Sequence, residues 1–456
     1  MIRWIVALVL VLGLGSCKDD PVREVVLAQT PEGRSFYFME ARGKGVDQVA
    51  MTIAWPTDWV YDAGNNPAVP HIAAQTILSG GTEDLRPQDV MTFFNDHNAF
   101  GRLDATVDHV IGRLVFAPED RPQVIAIANE MLVTPQLDPD WVTRMTEDFR
   151  ARVEDSWTQS STHMWVLARR AILGDVPIWR GIDLPDRSVI AQVTPADLKA
   201  WHATTIVGNN LTIVVTGALS AQDAGEAVDS LLAGLPDGPA VQKPTTEPDF
   251  EPITVLLHRP EAEKTLVAFT GELPSADRGH DFETHLALQL FARSGDGPLF
   301  EAVRTNLRAS YGFGAWYANM NRAIRVLNIA GEVETAKLQE TVDVVRETYS
   351  AYRTGPETQA FAGMRDDLAA DVKENTQNPD VAADVILQLA LDGLDPAQAT
   401  PFEQQVKEMT PQALTDTLTT AFPAAQSLSV IAVSADADAL PGACVITEIA
   451  QIERCK

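Results

Sequence analysis

From Val49 to Trp55 the chain reads Val-Ala-Met-Thr-Ile-Ala-Trp, apolar at nearly every step, and Leu211-Thr-Ile-Val-Val-Thr-Gly217 does the same. Short runs rich in β-branched residues and ended by turn residues predict buried strands. Between them the period changes. Pro70 to Ser79 carries apolar residues at helical spacing and stops at Gly80-Gly81, and Arg121 to Leu132 shows the same period. A long amphipathic helix is predicted from about Pro139 to Thr158, with Asp138 as its N-cap. Arg102 to Val107 and Val110 to Phe116 add strands, and Thr194-Pro195-Ala-Asp197 opens another helix.

The stretch from Leu235 to Pro248 is dense in Pro and Gly and has no apolar period, which is the composition of a linker. Beyond it the order returns. Strands are predicted at Ile253 to Leu257 and Thr265 to Thr270, then helices at Phe282 to Arg293 and Leu299 to Leu307. Strands at Tyr311 to Tyr317 and Arg325 to Gly331 follow, and then two long helices. The halves read as weak structural copies. Strands and helices mixed without strict alternation predict an α+β fold, each half a mostly antiparallel sheet covered by helices on one face. The expected division is a signal segment at 1–17, a tether at 18–35, an N-terminal domain at 36–235, a linker at 236–250 and a C-terminal domain at 251–456.

Composition narrows the function. The 63 acidic and 35 basic side chains leave a net charge of −28, with no cluster of Lys and Arg, which excludes a general nucleic-acid binder. Apolar residues at 45% and charged ones at 21% exclude a disordered chain. The apolar run Ile5 to Leu14, after Arg3 and before Gly15-Ser16-Cys17, is shorter than the ~20 residues a bilayer span needs and reads as an export signal. Leu14-Gly15-Ser16-Cys17 resembles the bacterial lipobox, which implies lipidation of Cys17; the alternative is a plain secretory signal. Lys18 after it favours the outer membrane, so the expectation is a membrane lipoprotein facing the periplasm. Cys444 and Cys455 are then an even pair in an exported chain, expected to form a disulfide that pins the last segment.

The helix at Pro70 contains His71-Ile-Ala-Ala-Gln75. His residues on one helix face can share a zinc ion with a Glu between them as base, and H-x-x-E-H is the inverted form of that motif. Here His71 is kept, Ala74 holds the Glu position and Gln75 holds the second His position. This frame, the Gly81-Thr82 close, the segment Phe100-Gly-Arg-Leu-Asp-Ala-Thr106 and the acidic helix around Glu147 and Glu154 resemble the pitrilysin/insulinase family of zinc metallopeptidases. The resemblance covers nearly the whole chain after the tether. It implies two homologous halves that close as a clamshell around a central cavity. It also places Glu154 at the position of the third zinc ligand, with Glu147, seven residues earlier, beside it. Gln75 is a poor zinc donor and Ala74 cannot take a proton from water. The expectation is a chain that binds no metal and does not hydrolyse peptides alone.

In the second half, Ser294-Gly-Asp-Gly-Pro-Leu-Phe300-Glu-Ala-Val-Arg304 followed by Ala309-Ser310-Tyr311-Gly resembles the family segment whose Arg and Tyr face the zinc site across the cavity. The resemblance assigns Arg304 and Tyr311 to oxyanion and carbonyl support. Some members of the family are heterodimers of a zinc-bearing chain and an inactive one. A broken zinc motif with an intact Arg/Tyr pair therefore implies the inactive, substrate-binding subunit, with zinc expected in a related partner chain that bears an intact H-x-x-E-H, and a peptide as substrate. The alternatives are a peptide-binding or scaffolding lipoprotein without a protease partner, and a peptidase with an atypical metal site on His71 and Glu154. His280-Asp-Phe-Glu-Thr-His285 resembles a zinc motif, but a five-residue step turns a helix by ~500° and separates the two rings, so it is read as a helix start.

Overall fold

The computed structural model describes residues 24–41, 47–174, 176–183, 186–275, 281–310, 312–356, 359–398 and 402–456. Cys17 with its signal segment, His280 and Tyr311 lie outside the described residues. In chain order the first part contains β1 (Val26–Gln29), β2 (Ser35–Glu40), β3 (Val49–Pro56), α1 (Val69–Ile77), α2 (Pro87–Asp96), β4 (Phe100–Ala105) and β5 (His109–Phe116). Next come α3 (Arg121–Val133), α4 (Pro139–Trp157), α5 (Ser160–Leu173), α6 (Ile178–Ile182), α7 (Arg187–Ile190), α8 (Pro195–Thr205), β6 (Thr212–Gly217) and α9 (Ala221–Leu232). The second part holds β7 (Thr254–His258), β8 (Thr265–Leu273), α10 (Asp281–Ala292), α11 (Pro298–Phe300), β9 (Phe313–Asn319) and β10 (Arg325–Val333). It ends with α12 (Leu338–Thr354), α13 (Phe361–Asn375), α14 (Pro379–Leu391), α15 (Phe402–Glu408), α16 (Pro411–Thr420), β11 (Ser429–Ser434) and β12 (Cys444–Ile446).

The strands form two six-stranded mixed sheets, ordered β1-β2-β6-β3-β5-β4 and β12-β7-β11-β8-β10-β9. Five strands of the two orders correspond, with β2 beside β6 and β7 beside β11 both parallel, and the edges differ: β1 is antiparallel to β2, whereas β12 is parallel to β7. The fold is α+β, two mixed sheets covered by helices. The stretch 18–35, expected as an irregular tether, instead contains β1, which pairs antiparallel with β2 from Val26 opposite Phe38 to Gln29 opposite Ser35. The helix expected from Leu299 to Leu307 is a short α11 that widens into a π-helical turn over Glu301–Asn306, where the Leu307 amide donates to the Ala302 carbonyl. Among the described residues, no helix is long and apolar enough to cross a membrane.

Each sheet buries both faces, not one. Val49, Met51, Ile53 and Trp55 of β3 point into a core built with α1, α3, α4, α8 and α9, whereas the alternate residues Ala50 and Ala54 point the other way. That opposite face is closed by Ala382, Ala383, Ile386 and Leu387 of α14, a helix from the second half. The second sheet receives the reciprocal cover. Met164, Leu167, Ala168 and Ala171 of α5, from the first half, pack on Val255, Leu257, Ala268, Ile431 and Val433. Strands buried on both faces read as continuous apolar runs, which is why β3 and β6 lack clean alternation. Alanines at Ala50, Ala54, Ala382 and Ala383 let the covering helix come close.

A buried polar junction joins the halves at the β4–β5 turn. The Tyr61 hydroxyl donates to Asp108 Oδ1 at 2.7 Å, and the Arg322 amide of the β9–β10 turn donates to Asp108 Oδ2 at 3.0 Å. Lys243 of the linker donates to His109 Nε2 at 3.3 Å. The imidazole is therefore neutral. Burial, and then the Lys243 charge, push the His109 pKa down to about 3. Cys444 and Cys455 are joined as a disulfide with Cα atoms 5.6 Å apart, which ties β12 to the terminal turn Ile449–Cys455.

Two outcomes follow from this packing. Leu387 is fully buried between α14 and the first sheet, so Leu387→Ala is expected to cost about 2–4 kcal/mol in urea unfolding, and a change within error would contradict the cross-cover. His109 takes up a proton near pH 6.5 in the unfolded chain and near 3 in the folded one. Its stabilisation is therefore complete above pH 6.5 and is lost as pH falls toward 3, by about 2–4 kcal/mol. His109→Gln should flatten the acid limb of the urea midpoint against pH. Buried Asp183, raised to about 6, works in the opposite direction from pH 6 down to 4 in both proteins and cancels in the comparison.

Candidate functional site

Helix α1 starts with Pro70 in its first turn and buries Val69, Ile72, Ala73, Ala74, Thr76 and Ile77. His71, Gln75 and Ser79 are left on the flank that meets α4. Gly81 ends this segment with φ +83°, and a Cβ there would lie 2.1 Å from the Leu85 carbonyl oxygen, so only glycine fits. Helix α4 begins at Asp138, whose side chain accepts from the amides of Asp140 and Trp141, and it turns Val142, Thr146, Phe149 and Val153 inward. The two helices run in opposite directions. The His71 ring stacks on Phe149 with centroids 5.6 Å apart and planes 15° apart, and the Trp141 indole donates to Ser79 Oγ at 3.1 Å.

Burial lowers the His71 pKa from its ordinary value, and a hydrogen bond with the Gly181 backbone offsets part of that. Gly181 packs tightly against Val60, whose side chain a Cβ at that position would strike at 2.7 Å. Ala74 is buried in the core. Gln75 is exposed, and its Oε1 accepts from Arg152 Nη2 at 2.7 Å. The same guanidinium lies 5.7 Å from the centre of the Phe149 ring. Glu154 accepts from Arg150 Nη1 at 2.6 Å and pairs with Arg187 Nε at 3.0 Å. Glu147 accepts from Arg150 Nε at 2.9 Å, a bond that lowers its pKa.

The structure thus brings His71, Ala74, Gln75, Glu147 and Glu154 onto two adjacent helices, where arginines pair with one carboxylate oxygen each of Glu147 and Glu154 and with the Gln75 amide oxygen. A zinc site needs three protein ligands. Here there is one neutral imidazole stacked on a ring, one amide bound to Arg152, and one carboxylate bound to two guanidiniums. Among the described residues no group of three His, Cys, Asp or Glu side chains is placed to hold a metal ion. These donors do not fit zinc, and among the described residues the atypical pair His71 and Glu154 has no third ligand beside it.

Arg304 lies exposed in the π-helical turn after α11, its guanidinium 5.0 Å from the centre of the Phe300 ring. Past it the chain reverses at Arg308, φ +54°. His285 is half-buried on α10, and burial lowers its pKa. The arginines of the site were not anticipated from sequence. Arg150 could have been found from its spacing to Glu147 and Glu154, which are i−3 and i+4 neighbours on one helix face, whereas Arg187 arrives from α7 and carries no local signal.

If arginines keep this site closed to metal, restoring ligands alone will not reopen it fully. The Ala74→Glu, Gln75→His double variant is expected to gain zinc affinity about 10- to 100-fold further when Arg152→Ala and Arg187→Ala are added, as measured by competition with a chromogenic chelator. An equal affinity with and without the arginines would contradict this.

Residues 192–368 match the model of the Peptidase M16 inactive domain. The probable zinc protease PqqL of Escherichia coli is 25% identical over 208 residues, which make up 43% of this chain and 22% of PqqL. Among solved structures, the peptidase M16 inactive domain from Pseudomonas fluorescens superposes with a TM-score of 0.79 at 19% identity, over 90% of this chain and 98% of that one. The periplasmic protease PqqL of Escherichia coli superposes with a TM-score of 0.67 at 14% identity, over 94% of this chain and 50% of that one. This chain therefore spans about half of the solved PqqL chain, and the matched segment about a fifth of the full PqqL sequence.

Proposed function

Because this chain carries the inactive-type domain of the M16 (pitrilysin/insulinase) peptidases over residues 192–368, we propose that it is the non-catalytic, substrate-binding subunit of a two-chain zinc endopeptidase. In this reading it supplies Arg304 and Tyr311 to the zinc site of a related partner with an intact H-x-x-E-H. The observation that carries the reading is the arginine-closed site on α1 and α4. On this reading it keeps the helices that would hold the metal in an active chain, with the Gln75 amide hydrogen-bonded to Arg152 and Glu154 ion-paired with Arg150 and Arg187.

Arg304 suits the donated role because it is exposed and sits on a π-helical turn, a distortion that recurs at functional sites. A guanidinium and a phenol held over a scissile carbonyl stabilise the oxyanion of the tetrahedral intermediate. The units that act are residues 36–235 and 251–456, joined by 236–250 and closing as a clamshell around the peptide. A lipid on Cys17 would hold the subunit at a membrane facing the periplasm. The peptide comes from that compartment, and the zinc belongs to the partner.

Arg304→Ala and Tyr311→Phe are each expected to lower kcat/KM of the reconstituted pair about 10²–10³-fold without loss of co-purification. A rate that both variants leave untouched would overturn the donated role.

A further inference from the structure

A cavity of about 670 Å³ opens where the last turn of α4 and the first turn of α5 face the carboxyl ends of β7 and β12. Its lining includes Trp157 and His163 on one side and His258, Arg259, Glu261 and Glu448 on the other. Strands β12, β7 and β11 are parallel, and crevices beyond the carboxyl ends of parallel strands are favoured ligand sites. The Cys444–Cys455 disulfide holds one wall, because the cleft residues Thr447, Glu448 and Ile449 lie between β12 and the second cysteine.

The polar groups of the cleft mostly accept. His163 Nδ1 lies 3.1 Å from the Gln159 carbonyl, so the proton sits there and Nε2 keeps its lone pair. His258 Nε2 lies 3.1 Å from the Ala435 carbonyl, so its Nδ1 keeps a lone pair. Burial holds the His163 pKa below its ordinary value, and the ring is neutral near pH 7. Arg259 is paired with Glu261, and the Glu448 carboxylate adds a negative charge. Trp157, edge-on to His163 with centroids 5.0 Å apart, is a half-buried aromatic wall. Two carboxylates against one guanidinium, two imidazole lone pairs and an indole suit a cation with several N–H donors.

We propose that this cleft binds a basic side chain, the ammonium of a lysine or the guanidinium of an arginine in a peptide, at the carboxyl-terminal end of α4. The carboxylate of Glu448 and the imidazoles take the donors, and Trp157 lies against the charge. The disulfide holds the Glu448 wall in place.

The test uses the purified full chain and a fluorescein-labelled Gly-Lys-Gly-Arg-Gly amide, read by anisotropy at about 0.1 M salt, where charges beyond ~10 Å are largely screened. Saturable one-to-one binding is expected, weakened about tenfold by Glu448→Gln and about tenfold by Trp157→Leu, and unchanged by Glu119→Gln on a distant turn. Thermal melting of each variant identifies one that has failed to fold, and the other then decides. Three results would overturn the proposal: no saturable binding, an equal loss with Glu119→Gln, or preference for a Gly-Glu-Gly-Asp-Gly twin.

Discussion

Each sheet of this protein has an apolar second face that its own half does not cover. The rest of the architecture depends on how that face is closed. Helix α14 of the second half lies on β3 and β6, and helix α5 of the first half lies on β8 and β11. Leaving either face in water would expose several fully buried side chains, at about 25 cal/mol per Å² of apolar surface. The halves are thus bound by exchange of cover, more than by the linker between them. The buried Asp108, Tyr61 and Arg322 junction then sets their registration, since an unpaired carboxylate in that position would be costly.

This exchange also fixes the site. Helix α4 carries Glu147, Arg150, Arg152 and Glu154, and the chain passes directly from it into α5, which is anchored on the other sheet. The helix that would supply a third metal ligand is therefore held at both ends, by packing on α1 and through α5. The polar face it presents is tied internally by ion pairs, in which Arg150 and Arg187 meet one Glu154 oxygen and Arg150 meets one Glu147 oxygen, and such pairs are only modestly stabilising where exposed.

Much of this was legible in sequence. Buried strands β3 and β6 showed as continuous apolar runs, the capped α4 and α8 showed through Asp138 and Thr194, and the repeated element order showed through the second half. The shared face of His71 and Gln75 on one helix, with Ala74 buried, was legible from their spacing. The cross-cover was not, because a helix such as α14, with Ala382, Ala383, Ile386 and Leu387 inward, has the period of any amphipathic helix, and periodicity does not say which sheet it meets. Strand β1 was hidden because it is a short edge strand with Val26 and Leu27 exposed. The pairing of Glu154 with Arg187 joins residues from separate helices, and nothing local marks it.

An arginine-paired site of this kind makes sense if the chain works with another that keeps the metal. Affinity isolation of the native chain from the cells that make it, with mass spectrometry of what co-elutes, addresses this most directly. The account predicts a stoichiometric partner of related sequence carrying an intact H-x-x-E-H and bound zinc. Recovery of the chain alone, or with stoichiometric zinc of its own, would contradict it.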